Sequence, residues 1–488
     1  MTDRLPFPYR PELPLVAERL GTLQGALDWP AAAHRATPWV QAVRDNPPPF
    51  WAMESLLKEY PISSAEGLAL MRLAEALLRV PDAETAIALT ADQLGRADFD
   101  GAADSALARL SSSAIALSKH FLPAADDGSG QGASAPGLMA KLGARTVVAA
   151  TLRAVQLLGR QFVLGQTIGE AMDEADAARK RVTGLRFSYD MLGQSIGQAM
   201  HEAASARKHR AGLRFSYDML GEGARTEADA QRYLASYSQA IAAIAAQADS
   251  SGATELNDGI SIKLSALHPR YEVAQHERVM AELVPRVWAL CEQAALANIN
   301  LTIDAEEVDR LELSLDVFEA LAARVAQRQP EWQKQTGRAT WDGFGLALQA
   351  YQGRALELIG HVTLLARRYR LRLMCRLVKG AYWDAEIKRA QEMGLPAYPV
   401  FTHKHHTDLS YLACARAMLA APDAIYPQFA THNAATIAAI LQMAGETASG
   451  HGRRFELQRL HGMGEGIYRE VLKPRHCLPR LCPSWCAP

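Results

Sequence analysis

Arg376 and Lys379 lie in the stretch Arg376-Leu-Val-Lys-Gly-Ala-Tyr-Trp-Asp384, where an apolar run from Leu371 to Val378 breaks at Gly380. Two cations beside a glycine suit a cofactor phosphate, and the Tyr382-Trp383 pair suits a flat ring system. The alternative is a strand edge with solvated cations. Other polar groups also close apolar runs: Asp218; Lys263, before Ser265-Ala-Leu-His-Pro-Arg-Tyr271; Asp304-Ala-Glu306; Gln349; Thr402; Thr431-His432-Asn433; Leu460-His461-Gly462. One such residue reads as a structural ion pair. A succession of them is costly unless something occupies the space between. Three other readings stay open here. His432 could be a core histidine. His403, His405 and His406 suggest a metal cluster, but on a strand or turn their rings would diverge, which favours a solvated loop. Glu306 and Glu307 could hold a divalent cation, and Asp304, Glu306 and the histidines would make a metal-dependent barrel hydrolase.

These residues need a scaffold that brings strand ends together. The strand candidates are 213–219, 259–265, 300–306, 343–350, 373–379, 398–404, 428–433 and 455–461, with amphipathic helices such as 277–297 and 314–327 between them. Eight strands in a βα series predict a parallel barrel, which gathers its chemistry at the C-terminal strand ends. An open doubly wound sheet is the alternative, but no Gly-x-Gly-x-x-Gly follows the first strand. Residues 164–191 and 192–219 repeat at a period of 28, matching at all but eight positions, and both end in Gly-Leu-Arg-Phe-Ser-Tyr-Asp-Met. Two units are too few for a solenoid. The expectation is that the second copy supplies the first strand and the other loops out.

Upstream, residues 1 to about 48 are rich in Pro, Ala and Arg and read as a segment that wraps on a partner surface. Helical periodicity runs from about 50 to 122, with a capping box at Ser63-Ser-Ala-Glu66. The expected organisation is a helical arm over 1–122, a flexible linker over 123–137, a helical linker with the duplicated segment over 138–191, the barrel over 192–472 and an irregular tail over 473–488. The 488 residues are 22% charged and 49% hydrophobic with net charge -1, which gives no electrostatic footprint for nucleic acid. No apolar run reaches membrane-spanning length, and the N-terminus lacks a secretory pattern, so a cytoplasmic location is expected. Cys291, Cys375 and Cys414 read as buried thiols. Cys477, Cys482 and Cys486 match no zinc spacing.

The stretches 259–271, 376–384 and Phe429-Ala-Thr-His-Asn-Ala434 closely resemble the proline dehydrogenase domain of bacterial proline utilization A, as does Leu56-Leu-Lys-Glu-Tyr-Pro-Ile-Ser-Ser-Ala-Glu-Gly67 in its arm. The resemblance covers roughly 50 to 470. It implies an α/β fold, a distorted (βα)8 barrel preceded by an all-helical arm. It also implies FAD as cofactor, L-proline as substrate, Δ1-pyrroline-5-carboxylate as product and membrane quinone as acceptor, with peripheral attachment at the inner membrane face. By the same resemblance Arg376, Val378, Lys379, Gly380, Ala381, Trp383, Gln349, Thr402, Thr431, His432 and Leu460 hold FAD, with no metal. Lys263 pairs with the proline carboxylate, Asp304 supports it, Tyr382 and Leu377 pack on the pyrrolidine ring, and Glu222 stands at the mouth of the first strand. Copies are expected to associate through the arm helices.

Three departures from that family are expected. No ribbon-helix-helix segment precedes the arm, so nucleic acid is not expected as a partner. No aldehyde dehydrogenase half follows. After Leu472 the tail, with its prolines and cysteines, lacks the last barrel helix and the paired arginines that clamp proline's carboxylate, as a reading-frame slip would leave it. The competing function is a non-catalytic remnant that binds flavin or associates with other chains but lacks those arginines.

Overall fold

In a two-residue strand period, polar side chains in this chain fall on one face and large apolar ones on the other. Ser216, Ser261, Asn300, Thr302, Arg376, Gln428 and Gln458 alternate with Phe215, Tyr217, Ile260, Ile262, Leu301, Leu377 and Leu457. The apolar set joins one continuous buried core with the surrounding helices. Each fully buried side chain of this kind stabilises the fold by about 1.5–3 kcal/mol. The polar set therefore faces the interior of a closed sheet.

That sheet is seen directly in the computed structural model, which describes residues 4–46, 186–191, 214–219, 223–446, 455–460 and 463–472. Eight parallel strands, β1 (Arg186–Met191), β2 (Arg214–Met219), β3 (Gly259–Ile262), β4 (Asn300–Ile303), β5 (Phe344–Gln349), β6 (Leu373–Val378), β7 (Ile425–Ala430) and β8 (Glu456–Leu460), pair in sequence order, and β8 returns to β1. The expected (βα)8 barrel is present. Around it, in chain order, lie α1 (Glu12–Leu23), α2 (Trp29–Asp45), α3 (Glu227–Ala245), α4 (His276–Leu296), α5 (Leu311–Thr336), α6 (Ala355–Tyr369), α7 (Trp383–Glu392), α8 (Lys404–Leu419), α9 (Ala434–Glu446) and α10 (Glu465–Val471). Thr226 opens α3 with a capping box: its hydroxyl accepts from the Asp229 N–H, and Asp229 accepts from the Thr226 N–H.

Two strand assignments differ from expectation. Residues 398–404 do not form a strand. They contribute one isolated antiparallel bridge, Gln352↔Val400, and then lead into α8. Pro399 has no N–H to give a ladder, and the neighbouring groups pair with the β5–α6 loop instead: Phe401 N donates to Tyr351 O at 2.8 Å and Gly353 N to Pro399 O at 3.0 Å. The missing place in the ring is taken by the first repeat copy, which was expected to loop out. β1 pairs with β2 in register, Arg186 beside Arg214 through Met191 beside Met219. A sequence whose alternation suits a barrel strand suits the neighbouring position equally.

The N-terminal segment also differs from the expected wrap on a partner. α1 and α2 pack on this chain's own barrel, with Leu23, Leu27 and Trp39 inside the main core. Residues 1–45 and 163–488 make one compact unit and 46–162 another. The helical run expected over 50–122, the linker at 123–137, the helical part of each repeat, Glu222, His461 and the tail 473–488 lie outside the described residues.

Candidate active site

The C-terminal half of the barrel interior holds a linked set of charges. Lys263, just past β3, places Nζ 3.3 Å from both Asp218 carboxylate oxygens and 3.2 Å from Asp304 Oδ2. Arg376, on β6, spans the lumen: Nη1 donates to Ser261 Oγ at 2.7 Å and to Asp304 Oδ1 at 3.2 Å, and Nη2 donates to Ser216 Oγ at 2.6 Å. Asp304 thus lies between the two cations, in a space where Arg376 is 4% exposed and Lys263 8%. Deeper in the lumen Gln428 Nε2 and Gln458 Nε2 donate to Glu456 Oε1 at 2.8 and 2.6 Å. The hydroxyl of Tyr237 accepts from the Lys263 N–H at 3.2 Å, and burial raises its pKa well above the usual range.

The end of β6 is shaped by backbone. Gly380 has φ 145, and a Cβ there would lie 2.5 Å from the Tyr351 ring, so only glycine lets the chain turn this closely. Gln349, the last residue of β5, holds that turn: its Nε2 donates to Glu306 O at 2.8 Å and its Oε1 accepts from Ala381 N at 3.2 Å. Lys379 and Lys404 both pair with Asp408, the latter at 2.8 Å. Burial pushes the Asp408 carboxyl up, but hydrogen bonds from the two lysines outweigh it and leave its pKa below the ordinary value. Trp383 is 41% exposed at the start of α7, anchored by its indole N–H on Phe401 O at 2.9 Å. Tyr382 is half-buried just before it.

Past β7 and β8, His432 Nε2 accepts from the Leu460 N–H at 3.0 Å. The ring proton must then sit on Nδ1. Burial, followed by the nearby charges of Arg459 and Lys379, lowers the His432 pKa to about 4, so the ring is neutral at ordinary pH. Thr431 is buried, with its carbonyl accepting from the Tyr468 hydroxyl at 2.8 Å. Thr402 sits in the loop before α8 and is bonded to Glu12 of α1.

Lys263, Asp304, Gln349, Arg376, Val378, Lys379, Gly380, Ala381, Tyr382, Trp383, Thr431, His432 and Leu460 all stand at or beyond the C-terminal part of consecutive strands, on one end of the barrel. Leu377 does not join them. It alternates with Arg376, is fully buried and belongs to the core between the strands and helices, so its side chain is on the far side of the sheet from the charges. Glu222 lies outside the described residues. His403, His405 and His406 gather instead of diverging, with ring centroids 4.3–5.3 Å apart, because a helix start sets neighbouring side chains on one rim. Glu306 is occupied structurally: it accepts from Ser265 N at 3.0 Å and from Arg310 at 2.8 Å, and burial raises its pKa. Among the described residues no group of three or more His, Cys, Asp or Glu could hold a metal ion. Sequence reasoning missed Ser216 and Ser261 as the seats of Arg376. Their signal was a hydroxyl at an inward position of each of two strands.

Fold and site together define an α/β-barrel protein whose chemistry is assembled at the C-terminal mouth. Residues 199–484 match the family described as "Proline dehydrogenase", and this chain belongs to it. Among curated proteins it is 44% identical over 423 residues to the bifunctional protein PutA of Klebsiella aerogenes, covering 86% of this chain and 29% of that protein. The PutA of Rhizobium meliloti is 40% identical over 456 residues, covering 93% and 33%. Among solved structures, a mutant of Bradyrhizobium japonicum proline utilization A is 41% identical, with TM-score 0.63, covering 96% of this chain and 42% of that one. The chain thus spans less than half the length of each of these.

One expectation is overturned. Residues 52–162 match the family described as "DNA-binding domain of Proline dehydrogenase", so nucleic acid is not excluded as a partner. Net charge summed over a whole chain is silent about a single domain, which is why the near-zero total misled.

Proposed function

We propose that this chain is an FAD-dependent proline dehydrogenase domain, which oxidises L-proline to Δ1-pyrroline-5-carboxylate and passes the electrons to a membrane quinone. The observation that carries the proposal is the linked Asp218–Lys263–Asp304–Arg376 set at the barrel mouth, next to the Gly380 turn. The residues suit the cofactor on two counts. Arg376 Nε is buried with no partner in the protein, a donor in need of an acceptor. At the Gly380 turn Lys379 is half-exposed and Gly380 and Ala381 are exposed, as a bound group requires. Arg376, Val378, Lys379, Gly380, Ala381, Trp383, Gln349, Thr402, Thr431, His432 and Leu460 would hold FAD.

When bound, FAD supplies the acceptor for the hydride that leaves proline C5. The protein's part is electrostatic and positional. Lys263, fixed by two aspartates, offers the proline carboxylate a cation that need not reorganise. Arg376 fixes positive charge within the lumen. The neutral His432 keeps Nδ1–H available as a donor. Asp218 and Asp304 are engaged with cations, and the amine proton leaves to water before the C5–H bond breaks. Among the described residues no helix is long and apolar enough to cross a membrane, which suits peripheral contact with a quinone-bearing bilayer.

The test is conversion of L-proline by the FAD-loaded chain with a soluble quinone, the product trapped as its adduct with an aromatic aminoaldehyde. Product formation abolished by Lys263→Met supports the reading. Flavin retention without product would favour the non-catalytic alternative.

A further inference from the structure

Glu12 is the first residue of α1, and a carboxylate there suits the positive end of a helix. It is also aimed at the barrel mouth. Its Oε2 accepts from the Thr402 hydroxyl at 2.6 Å, and its Oε1 accepts from the Thr402 N–H at 3.0 Å and lies 2.5 Å from His406 Nδ1. Burial raises the Glu12 pKa, but these hydrogen bonds outweigh it and the carboxyl stays below its ordinary value, hence ionised. The residues leading into α1 and α1 itself are clamped to the β5–α6 loop and the start of α6. Arg10 donates to Gly353 O at 2.8 Å and to Glu357 at 2.7 Å, while the fully buried Arg19 donates to Gly353 O at 3.1 Å and to Glu357 at 2.9 Å. The 398–403 segment is not a strand, and it is held by an isolated bridge, loop bonds and the Trp383 indole on Phe401 O in place of a ladder.

We infer that Glu12 is a positioning residue: the N-terminal helix reaches across the barrel and sets Thr402 in the orientation that the cofactor meets. This rests on the flavin reading above. The chemistry of the contact follows. Both protons of Thr402, on N and on Oγ1, are committed to Glu12, so its hydroxyl can only accept from a ligand. Thr402 therefore selects a hydroxyl or amino donor on the cofactor, such as a ribityl or ribose hydroxyl, and not a phosphate oxygen. Without Glu12 the hydroxyl proton is free to turn toward the ligand, and the loop loses its 2.6 Å hydroxyl tie and a second one at 3.0 Å.

The experiment is FAD affinity, read by fluorescence quenching on the apoprotein of the full chain, for wild type, Glu12→Ala, Glu12→Gln, Arg10→Ala, Thr402→Ala and the Glu12→Ala/Thr402→Ala double variant. Glu12→Ala is expected to weaken FAD roughly tenfold, the loss of about one charge-assisted hydrogen bond. Glu12→Gln keeps an acceptor and the shape, and should fall between. Arg10→Ala loosens the helix without touching Thr402 and should leave affinity within about twofold, which a purely structural role for α1 would not allow. The double variant should be no weaker than the worse single variant, because both changes act through one contact. Circular dichroism and thermal melts show which variants are folded at the assay temperature. If Glu12→Ala fails to fold, Glu12→Gln carries the test alone. Folded Glu12 variants that bind FAD as wild type does would overturn the inference while leaving the flavin reading intact. Failure of wild type to bind FAD would overturn both.

Discussion

Asp304→Asn removes the charge that joins the two cations of the lumen, and its cost can be worked from distances. Asp304 lies 3.2 Å from Lys263 Nζ and 3.2 Å from Arg376 Nη1. At an effective dielectric of about 20, each contact is worth about 5 kcal/mol of attraction, before the desolvation that offsets most of it. Only the residual appears as stability. Removing one partner of a buried pair typically costs about 3–5 kcal/mol, because the remaining charge stays buried and uncompensated. Here the variant removes one negative charge from beside Lys263 and Arg376, a change of one unit toward positive. We expect Asp304→Asn to lose about 3–5 kcal/mol in urea unfolding. Lys263→Met on that background returns the net charge to its wild-type value and should recover part of the loss. The coupling from this double-mutant cycle is the decisive quantity. A loss under about 1 kcal/mol for Asp304→Asn, with no coupling to Lys263, would refute the idea of a linked set.

Gly380→Ala should destabilise by about 1–3 kcal/mol and abolish FAD retention, since the new methyl meets the Tyr351 ring; urea unfolding and flavin content check both. Deleting 164–191 removes the sequence of β1 and exposes the edges of β2 and β8, so size-exclusion chromatography should show aggregates; a well-behaved monodisperse barrel would contradict the closure by two copies. His432 has a folded pKa of about 4, below the ordinary histidine value. The folded form therefore binds fewer protons than the unfolded one between about 6.5 and 4, and the His432 contribution is present above that window and lost as pH falls through it. His432→Gln should remove that slope from the pH dependence of unfolding. A fragment spanning 52–162 should retard duplex DNA in a gel-shift assay in a salt-dependent manner if the family's description extends to this chain.

Much of the site was legible in residue order because the barrel is built from local units. Arg376, Lys379 and Gly380 could be read together, since a strand followed by glycine puts its last cations at the mouth. Lys263, Asp304 and Gln349 were legible for the same reason. The eight-strand count was right for a partly wrong reason. Tyr398–Lys404 has strand-like residues, yet Pro399 breaks its ladder, and a duplicated strand fills the ring. Leu377 was misplaced by reading the strand end as a block instead of as alternating faces. Glu12 could not be read at all, since 390 residues separate it from Thr402 and only packing of α1 brings them together. Ser216 and Ser261 were readable in principle, as hydroxyls at inward positions of two strands, but only once Arg376 was known to span the lumen.

The most direct measurement is the visible absorbance spectrum of the purified chain after incubation with FAD, desalted and then mixed with L-proline without oxygen. A flavin spectrum that survives desalting and bleaches with L-proline, but not with D-proline, is the expected result. A colourless protein after desalting would contradict the claim that the strand ends converge on a flavin.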